Sequence, residues 1–135
     1  MRWTSIVAVL SLCACGGSDA GSAASNGDSA AAAQPTTEIV HVTIDDTAID
    51  LSIDTVAAGD VSILFANRGS ERHSIRIRSA EDSWIVSNIM GGADATLRVD
   101  LSPGVYEVYC PDVDAQGSHA TQGLYARLIV VDSTD

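Results

Sequence analysis

From residue 38 to residue 131 apolar and polar residues alternate with a period of two, which commits the chain to strands rather than helices. Val40, Val42 and Ile44 alternate with His41 and Thr43, and Ile49, Leu51 and Ile53 with Asp50, Ser52 and Asp54. Ile75 and Ile77 alternate with Arg76 and Arg78, and Leu97, Val99 and Leu101 with Thr96, Arg98 and Asp100. The run Val61–Ala66 is apolar on both faces, as in a covered strand, and Trp84–Val86 suits a short edge strand. Val105–Cys110 and Leu124–Val131 complete the set. Turn formers stand between them: Ala58-Gly59-Asp60, Asn67-Arg68-Gly69 and Ser102-Pro103-Gly104. No segment of ten or more residues has a helical period. About eight short strands in this span predict an all-β fold, an antiparallel β-sandwich.

The core of such a sandwich is aliphatic, because the chain is 46% apolar but only 4% aromatic. Seven arginines face eighteen carboxylates, with no lysine, for a formal net charge of -11. A surface this acidic repels phosphate backbones and excludes nucleic-acid binding, while it favours basic protein partners. Residues 16–37, rich in Gly, Ser, Ala and Asp, bury too little apolar surface to offset their chain entropy and are expected to be a disordered linker.

Residues 1–15 read as an export signal, with Arg2 as the charged region and Ile6–Leu12 as an apolar run too short to span a bilayer. Leu12-Cys13-Ala14-Cys15 resembles the bacterial lipobox, which implies cleavage before Cys15 and a lipid on its sulfur. Cys13 does not fit that motif, and cleavage after Ala14 by ordinary signal peptidase is the rival reading. The expected organisation is a signal peptide over 1–15, a linker over 16–37 and one domain over 38–135. Either way Cys110 stands alone in the domain, and its thiol is an inert buried side chain or a ligand.

Side-chain parity bears on that choice. If Arg76 and Arg78 face water, His73, Ile75 and Ile77 face inward. If Glu107 faces out, Tyr106, Val108 and Cys110 face in. In the last strand Tyr125 and Arg127 point out, so Leu124, Ala126, Leu128 and Val130 point in. His119 lies in the loop between the last two strands. Two imidazoles and one thiolate gathered at one end of a sandwich make a soft N/S site suited to copper.

The same residues resemble the cupredoxins, the plastocyanin and azurin family of blue-copper proteins. Asn67-Arg-Gly-Ser-Glu-Arg-His73 is similar to their first ligand region. Tyr106-Glu-Val-Tyr-Cys110-Pro111, followed by His119-Ala-Thr-Gln-Gly123-Leu124, is similar to their ligand loop and closing strand. Ser102-Pro103-Gly104-Val105-Tyr106 resembles the entry to the cysteine strand. The resemblance covers about residues 38–131 and implies a Greek-key sandwich with one type 1 copper ion held by His73, Cys110 and His119. It also implies a weak axial ligand from the position of Leu124. Leucine has no donor atom, so the site is expected to have three ligands and to favour Cu(I); Gln122 is a weak alternative donor and Met90 a remoter one. Ser74 replaces the asparagine that braces the ligand loop in many relatives. The eight residues between Cys110 and His119 exceed plastocyanin-like loops, and Asp112 and Asp114 within them are expected to be solvated.

These readings imply a one-electron carrier, not an enzyme, monomeric, membrane-anchored by lipid on the periplasmic or outer side and exchanging electrons with a redox protein that docks through a basic face. The alternative is a copper-binding protein for delivery or storage, a class that tends to methionine-rich sites, whereas this chain has two methionines. Scattered carboxylates give no support to a glycosidase dyad. Asp45, Asp46 and Asp50 lack the spacing of a calcium loop, and His41 is expected on the surface.

Overall fold

The computed structural model describes residues 37–134. The signal peptide, Cys15 and all of the linker but Thr37 lie outside them. Eleven strands form, in chain order β1 (Glu38–Ile44), β2 (Ile49–Leu51), β3 (Thr55–Ala57), β4 (Gly59–Asn67), β5 (His73–Arg78) and β6 (Ser83–Ile89). They continue with β7 (Asp94–Leu101), β8 (Gly104–Tyr109), β9 (Val113–Asp114), β10 (Gly117–Ser118) and β11 (Tyr125–Val131). Among the described residues the one helical element is a four-residue 3-10 turn, His119–Gln122.

One sheet has the order β2-β1-β4-β7 and the other β3-β11-β8-β5-β6, with β9 and β10 as a separate hairpin. Most pairings are antiparallel, but β1 runs parallel to β4 and β3 parallel to β11. The chain crosses between the sheets after β2 and again after β3, so β4 re-enters beside β1 in the same direction. Three short strands escape the alternation pattern: β3, β9 and β10 have two or three residues each, below the length at which a period is readable.

Parity sets the core. Val40, Val42 and Ile44 of β1, Val61, Ile63 and Phe65 of β4, and Tyr106 and Val108 of β8 are all within 1% of full burial, as is Leu128 of β11. Each such side chain contributes about 1.5–3 kcal/mol by leaving water. Tyr106 keeps its hydroxyl satisfied by donating to the Ser102 carbonyl at 3.0 Å. β6 lies at the sheet edge, as expected of the Trp84 segment, but extends to Ile89.

Candidate metal centre

Parity breaks beside the site. His73, Ser74 and Ile75 are all buried in succession, because the β5–β6 register shifts between Ile75, opposite Val86, and His73, opposite Ile89. A β-bulge of this kind re-aims the side chain beside it. Here Asn88 takes up the extra length with a φ of 61°. His73 is fully buried at the resulting strand end. Cys110, also at 0% exposure, follows β8, and its N–H donates to the Leu124 carbonyl at 3.1 Å. His119 opens the 3-10 turn, its own N–H donating to the Asp112 carbonyl and its carbonyl accepting from Leu124.

The three side chains meet. His73 Nδ1 lies 3.8 Å from Cys110 Sγ and His119 Nδ1 lies 3.6 Å from it. The two imidazoles stand edge to face, with ring centroids 5.4 Å apart. At the bond lengths thiolate and imidazole donors make to a divalent ion, about 2.3 and 2.0–2.1 Å, bond angles of about 110–120° separate sulfur from nitrogen by about 3.5–3.8 Å. The observed spacing is that of a metal-ready set. Burial pushes the Cys110 thiol pKa up, partly offset by the N–H groups of Asp112 and Ser74 directed at the sulfur. Pro111 itself supplies no N–H to the sulfur.

The loop carrying the site is braced from several sides. Asn67, fully buried, donates both amide hydrogens, to the carbonyls of Glu71 at 2.8 Å and Ile89 at 2.9 Å, and accepts from the Gly69 N–H at 3.0 Å. Serine at position 74 does not leave the ligand loop loose. Its N–H donates to Asp112 Oδ2 at 3.1 Å, and its hydroxyl accepts from the Asn88 N–H at 3.4 Å. The expectation of solvated loop carboxylates therefore fails for Asp112, which ties the loop to β5 and is half-buried. Asp114 is exposed, yet its Oδ2 stands 3.3 Å from His119 Nε2. The β9–β10 hairpin, with Gly117 opposite Asp114, makes the eight-residue loop a built element rather than a slack one.

Leu124 is 1% exposed, immediately before β11, and offers only carbon. Gln122 is turned to the loop, its Nε2 donating to Asp114 Oδ1 at 3.0 Å and to the Gly117 carbonyl at 3.3 Å. Met90 is 58% exposed. His41 is exposed. The residue that sequence reasoning missed is Asp46, in the turn after β1: its Oδ1 lies 3.3 Å from His73 Nε2. The Asp-Asp-Thr run signals a turn, but nothing in it shows what the turn faces.

The family model for the cupredoxin-like domain matches residues 6–121. This chain belongs to the cupredoxin family. The donor set fits one type 1 copper ion: two imidazoles and a buried thiolate at one end of the sandwich. Solved structures share the fold. A multicopper oxidase superposes with a TM-score of 0.54 at 18% identity, over 70% of this cupredoxin and 42% of its own chain. Auracyanin B gives 0.52 at 14% identity, over 70% of this chain and 88% of its own. A blue copper oxidase from Nitrosomonas europaea gives 0.51 at 19% identity, over 73% and 40%. The cupredoxin thus spans less than half of either oxidase but most of the auracyanin. No curated sequence matches it.

Proposed function

We propose that this cupredoxin is a single-electron carrier, with one copper ion held by His73, Cys110 and His119 and no donor from Leu124. The observation that carries the reading is the convergence of both Nδ1 atoms on a fully buried sulfur within 3.8 Å. When bound, copper supplies a one-electron couple. The chain's own residues do the rest. Bracing by Asn67 and Asp112 fixes the donors, so little rearrangement accompanies a change of oxidation state. Burial keeps water from the sulfur. The His119 side chain is 11% exposed against 1% for His73, which makes its ring the route to a partner. Asp114 beside it, within a chain of net charge -11, favours a partner with a basic face.

Export and a lipid on Cys15 belong to the same proposal, resting on the sequence of residues 1–15. Repeated reduction and reoxidation of the copper-loaded chain beside a copper chelator tests the role. A carrier cycles with its copper retained; loss of the metal to the chelator in the reduced state would point to delivery or storage instead.

A further inference from the structure

Each of the two histidines has a carboxylate on its outer nitrogen. His73 presents Nδ1 to Cys110 Sγ and Nε2 to Asp46 Oδ1 at 3.3 Å. His119 presents Nδ1 to the same sulfur and Nε2 to Asp114 Oδ2, also at 3.3 Å. The carboxylates come from unrelated places, the turn between β1 and β2 and the strand β9 within the ligand loop.

Both are built into position. Asp46 accepts the Ser70 N–H at 3.0 Å, the Ser70 hydroxyl at 2.8 Å and the Glu71 N–H at 3.0 Å. These bonds, the Ser70 N–H foremost, hold its pKa far below the ordinary carboxylate range. A Cβ on Gly69 would collide with Asp46 Oδ1 and sit 2.8 Å from its Cγ, so glycine is what lets the turn close on this loop. Asp114 accepts the Gln116 N–H at 2.7 Å and the Gln122 amide at 3.0 Å. The second contact explains why Gln122 is turned away from the axial position. Glu71 completes a cluster with Asp46 and His73, but the Asp46 oxygens already carry these donors, so the cluster reads as a brace.

We propose that Asp46 and Asp114 are positioning residues for the copper site, Asp46 accepting the outer N–H of His73 and Asp114 setting a negative charge 3.3 Å from the outer nitrogen of His119, so that each Nδ1 lone pair faces Cys110. An acceptor on one ring nitrogen fixes the tautomer and raises the donor strength of the other. Stronger anionic support favours Cu(II) over Cu(I), so the two aspartates oppose the tendency of Leu124 and set the potential jointly with it.

The inference rests on the copper reading, and its test separates the two. In the copper-free full chain at about pH 8, where free imidazole is neutral, nitrogen NMR should find both rings as the Nε2–H tautomer. Asp46→Asn should disturb that preference at His73 alone, and Asp114→Asn at His119 alone. On copper loading, Cu(II) affinity should fall about 10–100-fold in each variant. Cu(I) affinity should fall less, raising the midpoint potential by about 59 mV for each tenfold difference. Asp100→Asn, the same charge change at the far end of β7, should match the parent, and Asp114→Glu should restore part of the loss. Should Asp46→Asn not fold, Asp114→Asn in its exposed hairpin carries the test. Nδ1–H tautomers in the parent, or variants with the affinity and potential of Asp100→Asn, would overturn the proposal. A parent with the expected tautomers that binds no copper would overturn the copper reading and leave the positioning standing.

Discussion

At the scale of single residues, the copper reading turns on what surrounds three donors. Leu124 carries no donor at the position where the cupredoxin resemblance implies a weak axial ligand, so Leu124→Met should lower the midpoint potential; a higher or unchanged value on redox titration would remove the three-ligand account. Asn67 is the other decisive side chain. Its replacement by alanine leaves the carbonyls of Glu71 and Ile89 and the N–H of Gly69 without partners around a fully buried position. At about 1–3 kcal/mol for each buried group left unpaired, a loss of roughly 2–4 kcal/mol is expected after partial relief by water. Urea unfolding checks it, and a change below about 0.5 kcal/mol, ordinary for a surface position, would contradict it. His73, Cys110 and His119 were legible in the sequence because parity and order singled them out. Asn67 was visible only as a turn residue, and Asp46 only as one of two acids in a turn, because side-chain partners across loops have no period to read.

At the scale of elements, the alternation located eight of the strands, and turn chemistry located their breaks. The pairing directions of β1 with β4 and of β3 with β11 were not legible, since period two is the same in parallel and antiparallel strands. Nor was the β-bulge beside His73, which needs two strands to exist. The turn after β1 gives no sequence signal of its place beside His73. Asp45 accepts the N–H groups of Thr47 and Ala48 and the Thr47 hydroxyl, and its pKa is lowered, chiefly by the Thr47 N–H. The pKa of Asp46 is lowered by its bonds across to Ser70 and Glu71. A carboxylate whose folded pKa is depressed takes up its proton more readily when unfolded. Its stabilisation is therefore complete above the ordinary value of about 3.9 and is lost as pH falls through the folded value. The urea midpoint of the copper-free chain should fall steadily from about pH 4.5 toward pH 2, and less steeply in Asp45→Asn. A flat midpoint across that window would show that the turn does not depend on its charges.

At the scale of the molecule, the β3-β11-β8-β5-β6 sheet brings the start of β5 and the end of β8 together with the start of the 3-10 turn, and most of the few buried polar side chains gather there. Asn67, His73, Ser74 and His119 are buried, and Ser62 is the one other polar residue so placed among those described. The rest of the interior is aliphatic with two aromatic rings, Phe65 and Tyr106, as the composition implied. That concentration of polar groups around one sulfur is what a type 1 copper site requires and what an inert buried cysteine does not. Titrating Cu(II) into the purified chain while recording its visible spectrum tests this most directly. An intense thiolate-to-copper band that saturates at one equivalent and is absent from Cys110→Ser is the expected result; a pale spectrum, or a band that survives in Cys110→Ser, would contradict the account.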